Sequence, residues 1–246
     1  MEAWTSSATG WMTVLALAVG ASSGCAPAED GETPIQDAMN SVSDEERQAG
    51  WQLLFDGESL DHWRGYRRTD LPEAWQAVDG ALTLVGTGGD IITREQFGRF
   101  ELSLDWRVEE GGNSGILYLV TEEPEIIWYA APEMQVLDDA GHVDGQSPLT
   151  SAGSAYALYP APRGVVRPTG EWNSTRLLVD GTRVEHWMNG QQLLEYELGS
   201  EDFQGRVAES KFAVYPSFAM ARRGHIGLQD HGDPVWYRNI KIRELE

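Results

Sequence analysis

Arg99-Phe100-Glu101-Leu102-Ser103-Leu104-Asp105-Trp106-Arg107-Val108 alternates without a break, apolar at every even position and polar at every odd one. A period of two marks a strand with one face on a core and the other toward solvent or ligand. On either side of it, turn dipeptides recur at Asp56-Gly57, Asp79-Gly80, Gly88-Gly89, Gly111-Gly112, Asp180-Gly181 and Asn189-Gly190. Such turns need positive φ, which Gly and Asn tolerate. The spacing predicts hairpin strands at 172–179, 182–188 and 191–196, an antiparallel meander. No segment beyond the leader has a long helical period, and no repeat of about 20 to 50 residues appears, which argues against βαβ folds, solenoids and propellers. The expected fold is therefore all-β, a two-sheet antiparallel β-sandwich of jelly-roll type.

The 246 residues are 41% hydrophobic and 23% charged, enough to bury a core. Lys plus Arg is 18 and Asp plus Glu is 39, a net charge of −21 that repels phosphate backbones and anionic headgroups. Nucleic-acid binding is excluded on that ground. Ten Trp, 27 Gly and 11 Pro suit short strands joined by turns, with indole faces for stacking on sugar rings. A β-rich carbohydrate-handling protein is the expectation.

The single cysteine, Cys25, allows no intramolecular disulfide. Trp11 to Gly20 is an apolar run too short to span a bilayer, and Ala21-Ser22-Ser23-Gly24 before Cys25 are small, as a signal peptidase cleft requires. The leader resembles a bacterial lipoprotein signal with Cys25 lipidated, although Glu2 and the absence of Lys or Arg before Trp11 depart from it. The expected organisation is a signal over 1–24, a lipidated Cys and flexible tether over 25–48, and a catalytic domain over 49–246. The location that follows is a bacterial envelope, with membrane contact only through the lipid. Within the tether, Ser43-Asp44-Glu45-Glu46 fits a capping box that starts a helical turn.

In Ala131-Pro132-Glu133-Met134-Gln135-Val136-Leu137-Asp138-Asp139 the alternation places Glu133 and Gln135 on one face, roughly 6.5 to 7 Å apart, and Met134 and Val136 in the core. Asp138 has the opposite parity and joins them only through a bulge or turn. Among the five His, His142, His186 and His231 lie where polar side chains cluster, while His62 and His225 read as structural. His186, flanked on its face by Val184 and Met188, fits a satisfied core imidazole equally well. No His-x-x-x-His, paired Cys, Gly-x-Ser-x-Gly, phosphate loop or dinucleotide fingerprint is present.

Several stretches together resemble the 3-keto-disaccharide hydrolase domain family: 50–63 (GWQLLFDGESLDHW), Gly112-Asn113-Ser114-Gly115-Ile116, 133–138 (EMQVLD), Gly170-Glu171-Trp172-Asn173, His186-Trp187-Met188-Asn189-Gly190, and 224–232 (GHIGLQDHG) with Arg238-Asn239-Ile240. The resemblance covers about Gly50 to Leu245, with Met188 where the family tends to have Leu. It implies a concanavalin A-like lectin/glucanase jelly roll acting on sugars whose C3 hydroxyl a separate dehydrogenase has oxidised.

A C3 ketone acidifies the C2 hydrogen, so a base can remove it if something electrophilic holds the enolate oxygen. The C1 substituent then leaves by β-elimination, and water adds back to give net hydrolysis. The expected catalytic residues are His142, His231 and Glu133, with Gln135, Asp138, Asn113, His186 and Gln229 binding substrate. A divalent metal held by Glu133, Asp138 and His142 is a further expectation, since vicinal sugar oxygens chelate well. Two alternatives stand beside this reading. A retaining glycosidase would need the Glu133 and Asp138 carboxyl groups about 5 to 5.5 Å apart. A non-catalytic carbohydrate-binding module would need only exposed Trp.

Overall fold

The computed structural model describes residues 39–246; Cys25, the leader and most of the expected tether lie outside them. Helix α1 (Asp44–Gln48) leads into β1 (Gln52–Leu53), β2 (Trp63–Gly65), β3 (Trp75–Val78), β4 (Ala81–Leu84), β5 (Ile91–Thr93) and β6 (Phe100–Val108). Then come β7 (Asn113–Val120), β8 (Glu133–Leu137), β9 (Asn173–Asp180), β10 (Arg183–Met188) and β11 (Gln191–Glu197). Helix α2 (Glu201–Glu209), β12 (His225–Leu228) and β13 (Val235–Glu244) complete the order.

Two antiparallel sheets result, as the alternation predicts. The larger runs β11-β10-β9-β6-β13-β4-β3 with β1 beside β13, and the smaller runs β2-β5-β12-β7-β8. Leu102, Leu104 and Trp106 of β6 meet Ile116 and Tyr118 of β7 and Met134 and Val136 of β8 in one core. The meander forms from the turns that announce it: Asn189 and Gly190 both take positive φ between β10 and β11, and Gly181 does so between β9 and β10.

Two features depart from the sequence reading. Glu101 of β6, expected to meet solvent, is buried on the outer face of the larger sheet beneath Arg176 and Arg243, which pair with its two oxygens. Flat β neighbours crowd long side chains together, and two guanidinium groups satisfy one carboxylate there. The other departure is Asn40, placed in the expected tether. It is buried, and at a bulge in β13 the backbone N–H groups of Asn40 and Asn239 each donate to the other's side-chain Oδ1, both bonds 2.7 Å. The domain thus begins ahead of the expected boundary at 49. The capping box is present, with Ser43 accepting from Glu46 N and Glu46 accepting from Ser43 N.

Candidate functional site

Strand β7 is buried on both faces, so its second face supports something other than the core. Asn113 and Gly115 point outward there, beside Glu133 and Gln135 of β8, whose pairing with β7 sets Gly115 opposite Gln135 and Leu117 opposite Glu133. Gly115 is required by this arrangement, because a Cβ at that position would collide with the Glu133 carboxyl group. Gln229, just past β12, joins the same sheet through a 3.0 Å bond from its amide to Gly115 O. Loops wall the hollow. Asn113, Trp128, Glu133, Gln135, Asp144, Tyr156, Lys211, Gln229 and His231 line a cavity of about 180 Å³. That is below the range of about 300–1,000 Å³ typical of drug-sized ligands, and suits a single sugar ring.

Burial dominates the chemistry of Glu133. The residue is only 8% exposed, and desolvation pushes its carboxyl group up from 4.5 to about 8, so it is protonated at neutral pH. The Gln135 Nε2 reaches both Ser114 O at 3.1 Å and Glu133 Oε1 at 3.0 Å. Matching donors to acceptors then runs outward from this amide. In that orientation the Gln135 oxygen faces the Asn113 side-chain amide 3.5 Å away, and the far end of that amide lies 3.4 Å from His142 Nε2. His142 Nδ1 in turn accepts from Asp144 N at 3.1 Å. Both ring nitrogens of His142 thus have partners, and Gln135 Nε2 fixes Glu133 Oε1 as an acceptor, with the acid proton on Oε2.

His231 is placed differently. Its ring stands edge-on to His142, centroids 6.0 Å apart, and is half exposed on the cavity wall. Asp233 Oδ2 lies 3.8 Å from Nδ1 and also accepts the Asn113 backbone N–H at 3.2 Å. That orients the imidazole with Nε2 free.

Of the expected site residues, the structure brings together Glu133, Gln135, Asn113, Gln229 and His231, with His142 immediately behind. It does not bring Asp138 or His186. Asp138 holds a turn, accepting from Gly111 N at 2.8 Å and Ala140 N at 3.1 Å, and opens on a separate groove with Asp139 and Arg167. Its opposite parity is the reason. His186 lies fully buried between Tyr118 Oη at 3.2 Å and Gly153 O at 3.0 Å. Desolvation lowers it to about 4, so it stays neutral as a core imidazole. Among the described residues no three His, Cys, Asp or Glu side chains converge as metal ligands. The expected trio of Glu133, Asp138 and His142 therefore does not fit a divalent ion.

Sequence reasoning missed Trp128, Asp144, Tyr156 and Lys211. All four sit on loops or short 3-10 turns with no periodicity to read, and Tyr156 Oη reaches Asp144 Oδ2 at 3.1 Å. The aromatic signal was present but unplaced. Trp63, Trp75 and Trp106 are core, while Trp51, Trp172, Trp187 and Trp236 each carry an Arg over the ring at 4.1 to 5.2 Å.

The fold and its sequence motifs have counterparts among known proteins. Residues 50–243 match a family model described as a 3-keto-alpha-glucoside-1,2-lyase-like domain. A protein of Bacteroides thetaiotaomicron named 3-keto-disaccharide hydrolase is 35% identical over 229 residues, covering 80% of this chain and 79% of its own. A solved structure from Parabacteroides distasonis, designated a candidate glycosyl hydrolase, matches with a TM-score of 0.78 at 33% identity, over 85% of this chain and 100% of that one. A second from the same organism gives 0.66 at 30% identity, over 79% and 99%.

Proposed function

The chain belongs to the 3-keto-alpha-glucoside-1,2-lyase-like domain family, and from that membership we propose that it cleaves 3-keto glycosides by elimination and hydration, a net hydrolysis. The observation that carries the mechanism is one ring-sized hollow faced by a protonated buried acid, Glu133, and a half-exposed imidazole, His231.

His231 Nε2 takes the C2 proton, and the electrons of that bond form C2=C3 as the carbonyl pair moves onto O3. Collapse of the enolate restores C3=O, forms C1=C2 and breaks the bond from C1 to the aglycone oxygen, which takes the Glu133 proton. Water then adds at C1, giving its proton back to Glu133, and C2 regains a proton from His231. Both groups return to their starting states. Asn113, Gln135 and Gln229 supply hydrogen bonds to ring hydroxyls, and His142 positions the amides.

A retaining glycosidase is disfavoured, because Glu133 and Asp138 open on different hollows. The reading requires an upstream enzyme class that oxidises the sugar at C3. It also includes anchoring through Cys25, on the sequence alone; palmitate incorporation that persists in Cys25→Ala would remove that part.

The deciding experiment compares native and 3-keto glycosides with the wild-type chain and His231→Ala. The expected result is turnover of the keto sugar only, lowered about 10²- to 10⁴-fold in the variant. Cleavage of unoxidised glycosides, or an unimpaired His231→Ala, overturns it.

A further inference from the structure

We propose that Lys211 is the electrophilic group of this site, its ammonium donating hydrogen bonds to the C3 oxygen as negative charge develops there. The assignment rests on the keto-glycoside reading above and names the one role that reading leaves unfilled.

Three observations carry it. Lys211 lines the same cavity as Glu133 and His231. Its Nζ sits over Tyr156 at 4.3 Å, Trp128 at 4.4 Å and Phe212 at 5.3 Å. These ring faces hold a cation without using its N–H donors. Moreover, no acceptor among the described residues lies within hydrogen-bond or ion-pair range of Nζ. An ammonium has three donors, and those of the solvent-exposed Lys211 are left for water or for an incoming sugar oxygen.

Residue choice points the same way. The chain carries sixteen Arg and two Lys, and the other lysine, Lys241, is paired with Glu46. Arginine suits the planar, two-pronged recognition found across the larger sheet. A compact point charge suits a single oxygen in a narrow hollow. Desolvation lowers the Lys211 ammonium from its ordinary value, and the Asp144 carboxylate nearby opposes that shift.

In the step itself His231 removes the C2 proton, the C2–H pair becomes the C2=C3 bond, and the carbonyl π pair comes to rest on O3, where Nζ–H donates. No proton needs to leave Lys211. On collapse the pair returns from O3 and the ammonium is unchanged. Placed donors of this kind contribute about 10²- to 10³-fold to rate.

The test uses the purified chain with a 3-keto nitrophenyl glycoside, protiated or deuterated at C2. Lys211→Met should lower kcat about 10²- to 10³-fold with KM changed less than about 10-fold, and the C2 isotope effect should remain fully expressed. Lys211→Arg should recover part of the loss, and methylamine should restore part of kcat to Lys211→Ala. Kcat within about fivefold of wild type in Lys211→Met, or a loss confined to KM, overturns the assignment. Should Lys211→Met melt early, the Arg variant and the amine rescue decide: no recovery by either reduces Lys211 to a packing residue. A wild-type chain inert toward the keto sugar would instead bring down the underlying reading and this one with it.

Discussion

At Glu133 one side chain links burial to pH. Its acid form is held up to about 8 by desolvation in the folded protein, against 4.5 as its ordinary value. A group raised in this way binds its proton more tightly when folded, so its contribution to stability is complete below about pH 4.5 and is lost as pH climbs to about 8. Thermal melts from pH 5 to 9 should show stability falling by a few kcal/mol, and Glu133→Gln should flatten that fall. In the proposed role of proton donor to the aglycone it also sets an alkaline limb: kcat should decline above about pH 8. Glu133→Gln should slow cleavage of a poor leaving group about 10²- to 10⁴-fold and of nitrophenol much less; equal losses on both would remove the acid role. The alternation of 133–138 made Glu133 and Gln135 legible as a pair, because parity alone decides a strand residue's face. The same logic explains His186: its face of β10 is legible, but which side of a sheet meets the second sheet is settled only by the whole fold. Lys211 and Trp128, on aperiodic turns, left no pattern to read.

Strands β7 and β8 form the element on which the site depends. Gly115 leaves the space into which the Glu133 carboxyl group leans, so the smaller sheet trades a side chain for an acid lying flat over its face. Gly115→Ala should cost about 1–3 kcal/mol by overpacking and lower kcat at least tenfold by displacing that acid. Gly205 provides the control. It lies within α2 with open space where a Cβ would go, and Gly205→Ala should raise stability by about 0.5–1 kcal/mol with activity unchanged. A loss of activity in both would show that the effect is not local to Glu133. Strand β6 and the β9–β11 meander were readable residue by residue, since unbroken alternation and Asn-Gly turns are local signals. The order of strands in each sheet was not, because it depends on packing between segments far apart in the chain.

Across the whole molecule the net charge of −21 sets a balance between local pairs and overall repulsion. Exposed ion pairs such as Arg68–Asp70 contribute little, whereas self-repulsion of a strongly acidic chain opposes the compact state. Raising NaCl from about 0.01 M to about 0.15 M shortens the screening length from about 30 to 8 Å, and the melting temperature should rise by a few degrees; a fall would mean that the paired arginines outweigh the excess carboxylates. The acidic composition made an anionic polymer an unlikely partner from the outset, and the jelly roll followed from turns and alternation together.

The capped indoles of the larger sheet carry a consequence for what this protein meets. Trp51, Trp172, Trp187 and Trp236 are each covered by a guanidinium group, so a passing polysaccharide finds no bare aromatic ledge there along which to lie. The hollow beside Glu133 and His231 is the size of one ring, so a sugar chain can present no more than a single residue to it at a time.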